Sequence, residues 1–489
     1  MDFEDKRLDS LMSSEQLPSA VFASRFPFRP TESQARFFRQ MDVFLGGRSR
    51  GPGAYDCFVL RGYAGTGKTT LVSALVKSAG ALGYKSVLMA PTGRAAKVMS
   101  GYSGKKAFTI HRKIYRLQDN AGERFAFVRQ PNYHSHTLFV IDEASMISDD
   151  AAFGSQGLLS DLIEYVQEGE NNKVIFVGDT AQLPPVGTHL SPALDPVFLR
   201  KNFRVNVMQE ELTDVMRQAE ASGILWNATR LRGELGREAP SVAINARSFR
   251  DVFSMTTVKL EDGLRYAYDK FGEENTIVLT RSNKDAVQYN QYIRRIIHFA
   301  EDEIDAGERL MIVRNNYSVL GEDSRAGFLA NGDFVELMKV RRMEEMHGFR
   351  FADVTLRLTD YDSEPSFDAK IILDTLYMPT PSLQADDNRR LYESVLLDYA
   401  DISSKTERLE AVRKDPYLNA LQVKFAYALT CHKAQGGQWN AVFVDQGYIP
   451  ENEVSADFLR WLYTAVTRAT DELYLMNFHK SFFESSPDE

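Results

Sequence analysis

Between residues 26 and 196, short apolar runs alternate with longer segments of helical period. YDCFVLRG (55–62), KSVLMAPT (85–92), TLFVIDEA (137–144) and KVIFVGDT (173–180) each read as a strand buried on both faces that ends in Gly, Pro, Asp or Thr. Helical segments follow most of them, such as KTTLVSALVKSAGALG at 68–83. Continuous apolar strands alternating with helices predict a parallel α/β sheet. The same pattern returns after Val197. NTIVLTRS (275–282) predicts a strand, NKDAVQYNQYIRRIIHF (283–299) a helix, and AVFVDQG (441–447) and DELYLMN (471–477) two more strands.

Two stretches break this rhythm. Over 335–424, FVELMKV, FADVTLRL and FDAKIILDT are short alternating runs separated by charged turns, which predicts a small antiparallel barrel inserted in the second domain. Within it, residues 386–415 are highly charged and predicted helical. IYRLQDNAGERFAFVRQ (114–130) reads as two short strands about a DNAGE turn, hence a hairpin. The division that follows is a lead-in at 1–24, a first domain at 25–100 and 137–195, and a hairpin insertion at 101–136. A second domain spans 196–334 and 425–489, with the barrel insertion at 335–424.

Composition narrows the class. A chain of 489 residues exceeds one ordinary core, so about three or four units are expected. Hydrophobic residues at 44% and charged residues at 26% are a soluble globular balance. No apolar run reaches the ~18–20 residues of a membrane helix, and the acidic start MDFEDKRLDS has no apolar signal region. The two cysteines, Cys57 and Cys431, form no CxxC pair, which argues against a disulfide framework or zinc site and fits a reducing, cytoplasmic compartment. A net charge of −9 argues against a surface coated for bulk nucleic-acid binding, although a local basic channel remains compatible with it.

GYAGTGKTT (62–70) fits G-x-x-x-x-G-K-[ST] between a strand and a helix. Gly62, Gly65 and Gly67 let the backbone turn its N–H groups onto a phosphate chain, with Ala64, Thr66 and Thr70 completing the ATP cradle. Lys68 is expected to reach the β- and γ-phosphates and Thr69 to hold Mg²⁺, with the helix N-terminus adding its dipole. In LFVIDEASM (138–146), Asp142 would sit at a strand tip as the metal partner, and Glu143 is the natural general base for water. A glycine turn and a helix cap would account for either stretch alone, but not for both together.

FRPTESQARFF (28–38), APTGRAAKVM (90–99), FTIHRKIY (108–115), FVGDTAQLPPV (176–186), ELTDVMRQAE (211–220), LTRSNKDAVQYN (279–290), YALTCHKAQGGQWNAVFV (427–444) and LYTAVTRATDELYL (462–475) follow in this order. With the two phosphate motifs, this set resembles superfamily 1 helicases, and within them the 5′→3′ branch of RecD and Dda, over roughly residues 25–478. The resemblance implies two RecA-like P-loop NTPase domains, a β-hairpin inserted in the first and an SH3-like β-barrel in the second. It implies that Gln34 reads adenine, that Gln182 senses the γ-phosphate, and that Arg217 and Arg468 reach the phosphates from the second domain. By residue type alone, Arg468 reads first as a surface partner of Asp471 or Glu472, a preference that Lys68 and Asp142 reverse, and Arg217 reads equally as part of an amphipathic helix face.

The resemblance further implies nucleic-acid contacts at Pro91, Thr92, Arg94, Lys97, Thr109, His111, Thr430, His432 and Lys433, residue types that suit phosphates. His111 and His432 read also as structural histidines. The hairpin lies where related helicases carry a strand-separating pin, with Phe125 and Phe127 as aromatic candidates for stacking on the last base pair, or for packing the hairpin onto its domain. The implied activity is an ATP- and Mg²⁺-dependent DNA helicase moving 5′→3′ on single-stranded DNA and opening duplex junctions, in repair, recombination or replication. A monomer is expected, with a single-strand-binding or replication protein as partner and no membrane. The alternatives are an RNA helicase, a translocase that does not unwind, and a scaffolding subunit of a recombination or conjugation complex.

Overall fold

The computed structural model describes residues 17–46, 56–118, 126–150, 156–215, 221–320, 324, 326–361, 364–450 and 454–484. They divide into two compact units. The first takes the described parts of Met1–Pro91, Ala95–Arg116 and Phe127–Trp226, and the second those of Thr92–Arg94, Leu117–Ala126 and Asn227–Glu489.

The first unit is built on β1 (Asp56–Gly62), β2 (Lys85–Ala90), β3 (Ala107–Thr109), β6 (Thr137–Ile141), β7 (Lys173–Gly178) and β8 (Asn206–Leu212). Their order is β3-β2-β6-β7-β1-β8, and every pairing is parallel. All residues of β6 and β7 are buried, as helices on both faces of a parallel sheet require. Between β3 and β6, β4 (Tyr115–Gln118) and β5 (Ala126–Arg129) pair as a separate two-stranded sheet. The expected hairpin strands are therefore present, while their turn lies outside the described residues.

Two expected boundaries move. The first domain does not stop at 195, because β8 pairs with β1 along its whole length, Asp56 opposite Asn206 through Gly62 opposite Leu212. The insertion at 101–136 shrinks, because β3 is the edge strand of the main sheet, Leu88 opposite Ala107.

The second unit carries a parallel sheet of β9 (Val252–Met255), β10 (Thr276–Thr280), β16 (Ala428–Thr430), β17 (Trp439–Asp445) and β18 (Ala469–Met476), ordered β16-β10-β17-β18-β9. Between β10 and β16 the chain forms a closed barrel of β11 (Arg309–Ile312), β12 (Phe334–Met346), β13 (Phe349–Leu358), β14 (Phe367–Ile372) and β15 (Leu421–Phe425). The barrel thus begins before residue 335. It is also not wholly antiparallel, since β14 and β15 pair parallel. A parallel pair needs a crossover, and helices Ala385–Asp398 and Lys405–Arg413 supply it from the predicted helical stretch. β15 passes into β16 through Ala426 and Tyr427, 0% and 4% exposed. One apolar core joins Val278 and Phe443 of the sheet to Leu337, Val354 and Leu421 of the barrel.

Candidate nucleotide and strand-binding sites

The loop after β1 turns because its glycines permit it. Gly65 and Gly67 have φ of 75° and 81°, in the left-handed region that favours glycine. A Cβ on Gly62 would lie 2.9 Å from Thr66 Oγ1 and 3.0 Å from Lys68 Cγ, so this position admits no side chain without movement. Helix Lys68–Ala79 starts directly at Gly67, with its N-terminal N–H groups at the loop. Thr66 closes the turn by donating its hydroxyl to the Tyr63 carbonyl at 2.8 Å.

Lys68 Nζ donates to the carbonyls of Gly62 and Tyr63 at 2.6 and 3.0 Å and lies 3.8 Å from Asp179 Oδ2. Asp179 is 1% exposed and caps its own turn by accepting from Ala181 N at 2.9 Å. The sequence reading missed Asp179. Its signal was present, since VIFVGD ends an apolar strand in a carboxylate just as FVID does. Gln182, two residues after Thr180, is 6% exposed on the same turn and donates its N–H to the Asp179 carbonyl.

Asp142 follows β6. Its Oδ2 accepts from the Tyr102 hydroxyl at 2.6 Å, and its Oδ1 accepts from Glu143 N at 2.8 Å. Burial and the neighbouring Asp142 carboxylate hold the Tyr102 phenol far above its ordinary range, so it stays protonated and donates. Glu143 has φ 51° and ψ 38°, a left-handed conformation uncommon for glutamate and of the kind found at functional turns. Ser191, 1% exposed, ties that turn by donating to the carbonyls of Ala144 and Ile147, both at 2.7 Å.

Gln34 is fully buried beside the loop. Its Nε2 donates to the Thr66 carbonyl at 3.0 Å and its Oε1 accepts from Thr31 N at 3.0 Å. Asp214 accepts from both the backbone and hydroxyl of Ser33, at 3.0 and 2.7 Å, and these bonds hold its carboxyl below the usual range. The segment that carries Gln34 is thereby fastened beyond β8, a contact across 181 residues.

Thr69, exposed on the first helical turn, and Asp142 offer hard oxygen donors, which fit Mg²⁺. Among the described residues no group of three or more His, Cys, Asp or Glu could hold a metal ion.

In the second unit, Arg468 is 3% exposed. Its Nε and Nη1 donate to the carbonyls of Thr464 and Gly437 at 3.0 and 3.1 Å, and its Nη2 lies 3.3 Å from Thr467 Oγ1. The surface pair that residue type alone allowed is not formed. Glu472 is taken by Lys270 at 2.7 Å and Tyr474 at 2.6 Å, and Asp471 by Asn440 at 2.7 Å. Arg217 lies outside the described residues, as does Phe125; of Phe127 only its place in β5 is described.

The strand-contact candidates separate. Thr109 does not offer its hydroxyl freely: it is 4% exposed and caps helix Ile110–Ile114 by accepting from Arg112 N at 3.2 Å. Burial holds His111 down at about 4, so the ring is neutral at physiological pH, 5.7 Å from the Tyr115 ring. Pro91 and Thr92 are half-buried after β2, Arg94 is half-buried and Lys97 exposed on helix Gly93–Ser103. Thr430 ends β16, 8% exposed, and its carbonyl accepts from Lys433 N and Ala434 N at 2.9 and 3.1 Å. Burial lowers His432 and brings Lys433 to about 8, where the amine, bonded to Asn331 Oδ1, stays mostly charged at neutral pH.

A phosphate loop, a strand-tip carboxylate and a second carboxylate at one edge of a parallel sheet define a P-loop NTPase. An AAA domain model matches residues 54–244 and a UvrD-like helicase C-terminal domain model matches 425–476, the stretch that includes Arg468. The two matches stand in the order of a phosphate-loop domain followed by a helicase-type C-terminal domain. The ATP-dependent RecD2 DNA helicase of Deinococcus radiodurans is 25% identical over 85% of this chain, which spans 46% of that protein. The ATP-dependent DNA helicase dda of Enterobacteria phage T4 is 24% identical over 85% of this chain and 93% of its own length. An uncharacterized protein of Acanthamoeba polyphaga mimivirus is 25% identical, over 86% and 95%. Among solved structures, a Bacteroides Pif1 helicase with ADP-AlF3 and single-stranded DNA superposes with a TM-score of 0.45 at 16% identity, over 94% of this chain and 96% of that one. No helix among the described residues is long and apolar enough to cross a membrane.

Proposed function

We propose that this chain is an ATP-dependent DNA helicase that moves 5′→3′ along single-stranded DNA and opens duplex junctions. One observation carries the reading. A phosphate-type loop with Lys68 beside Asp179, and the strand-tip pair Asp142 and Glu143, share a chain with a helicase-type C-terminal domain that holds a buried arginine. The decayed scaffold is disfavoured by the same groups, and the polarity follows the RecD and Dda resemblance.

In this reading both parallel sheets are RecA-like and the barrel is an SH3-like insertion. Lys68 swings from its own loop carbonyls to the β- and γ-phosphates, and the N–H groups of residues 62–70 take the remaining oxygens. Mg²⁺, held by Thr69 and through water by Asp142, would supply charge neutralisation at the phosphates. Glu143 accepts the proton of the attacking water, Gln182 reports on the γ-phosphate, and Arg468 with Arg217 completes the site when the domains close. The strand runs over Thr92, Lys97 and Lys433 through phosphate contacts that carry no sequence information. The test is strand displacement with 5′-tailed and 3′-tailed duplexes. Unwinding of the 5′-tailed substrate alone is expected. Unwinding of only the 3′-tailed one overturns the polarity, and hydrolysis without unwinding of either favours the translocase.

A further inference from the structure

A second site lies in the first unit, at the edge of the sheet opposite the nucleotide. Lys113, Arg116, Gln130, Pro131, Tyr133 and His134 surround a cleft of about 300 Å³ floored by Tyr165. The edge is fixed by backbone pairing. Lys85, the first residue of β2, donates its N–H to the carbonyl of His136, whereas the phosphate loop and Asp142 follow the other ends of β1 and β6.

The cleft is built on a stiff turn. Buried Asn132 donates to the Tyr165 carbonyl at 2.7 Å and accepts from His134 N at 2.9 Å, and its own N–H meets Glu168 Oε2 at 2.9 Å. Asn172 adds a bond to the His134 carbonyl at 3.0 Å. On this anchored backbone the Tyr133 side chain is 91% exposed. A ring so held presents a free face on which a base can stack, as aromatics do in single-strand grooves.

The charge around it is positive. Among the described residues no carboxylate pairs with Lys113 or Arg116, and the nearby Glu164 and Glu168 are both taken by Arg129. Burial lowers Lys113, and burial followed by repulsion from Lys113 and Lys85 lowers His134, as expected where cations lack an anion. Cations beside an exposed ring over a cleft of nucleotide size match the way single strands are held without sequence preference.

We propose that this cleft binds one nucleotide of a second single strand, its base stacked on Tyr133 and its phosphate between Lys113 and Arg116. The occupant is the strand not tracked by the motor, so the inference rests on the helicase reading. The test measures the affinity of the full chain for a duplex with one 5′ tail and for a fork that adds an oligothymidylate arm on the other strand. The wild type is expected to bind the fork about fivefold or more tighter. Tyr133→Ala, and separately Lys113→Gln with Arg116→Gln, should erase that increment while one-tail affinity and DNA-stimulated hydrolysis stay unchanged. Equal wild-type affinity for both substrates overturns the proposal, as does an increment that survives in both variants. Loss of the increment to an oligoglutamate peptide, but not to free oligothymidylate, overturns it in favour of an acidic protein segment. A wild type whose hydrolysis ignores DNA altogether sinks the helicase reading itself, a result separable from the others.

Discussion

The Tyr102 hydroxyl donates a 2.6 Å hydrogen bond to Asp142 Oδ2, linking a helix and a strand tip 40 residues apart. The bond leaves Oδ1 to the backbone of Glu143, so the orientation of the Asp142 carboxylate, which we propose faces Mg²⁺, depends on a phenol that no phosphate motif contains. Tyr102→Phe keeps the ring and removes the donor. A bond to a charged group contributes roughly 1.5–3 kcal/mol, so a lower melting temperature is expected, together with hydrolysis that needs more Mg²⁺ to saturate. An unchanged Mg²⁺ titration would show that Asp142 holds its position without the phenol.

Lys68→Ala should abolish hydrolysis and unwinding with only a modest change in stability, because the ammonium is partly exposed, donates to carbonyls of its own loop and stands 3.8 Å from Asp179. ATPase and melting curves on one preparation check both halves. Full turnover would remove the nucleotide-site assignment.

Glu143 offers a sharper separation. Glu143→Gln should bind ATP and turn over slowly, by about 10²–10⁴-fold. Glu143→Gly should be equally inactive yet no less stable, since glycine accepts φ 51° and relieves about 1–2 kcal/mol of left-handed strain, offset in part by its freer unfolded chain. A glycine variant that melts well below wild type would mean the glutamate side chain also holds the turn.

Arg468→Ala should lose hydrolysis by the orders of magnitude typical of arginine fingers, about 10³–10⁵. It should also lose stability, because the carbonyls of Thr464 and Gly437 would be left buried without a donor, at about 1–3 kcal/mol each at most. Arg468→Lys separates the roles: it retains a cation while losing the fork, so turnover should stay low as the melting temperature partly recovers. Hydrolysis restored by lysine would argue that a single charge suffices, and hydrolysis retained by alanine would argue for a packing role alone.

His111 is held at about 4 in the folded chain, below its unfolded value of about 6.5. The unfolded chain therefore binds the extra proton between these values. This contribution to stability is intact above pH 6.5 and is lost as pH falls towards 4. Urea unfolding from pH 7 to pH 4.5 should show a shallower acid loss in His111→Gln than in wild type. Parallel profiles would place the acid sensitivity elsewhere.

The phosphate motifs were legible because each chemical group follows directly from local backbone: glycines at left-handed positions, a carboxylate after an apolar strand. β8 was not. NVMQEEL is mostly polar because it is an edge strand in which only Val207 and Leu212 are buried, so no apolar run marks it. Tyr102 and the Ser33–Asp214 pair were equally hidden, since hydrogen bonds across 40 and 181 residues leave no periodic trace. Thr109 carries a duty that its residue type does not announce. A threonine before a short helix serves first as its cap, and sequence type alone does not tell that duty from a phosphate contact.

Between β15 and β16 stand only Ala426 and Tyr427, each fastened: Ala426 N to the Arg309 carbonyl at 2.9 Å, Tyr427 N to Asn290 Oδ1 at 3.0 Å. With a shared apolar interior on either side, this junction has no slack in which a hinge could form. Barrel and sheet are therefore one mechanical piece, and any displacement of the one is passed in full to the other.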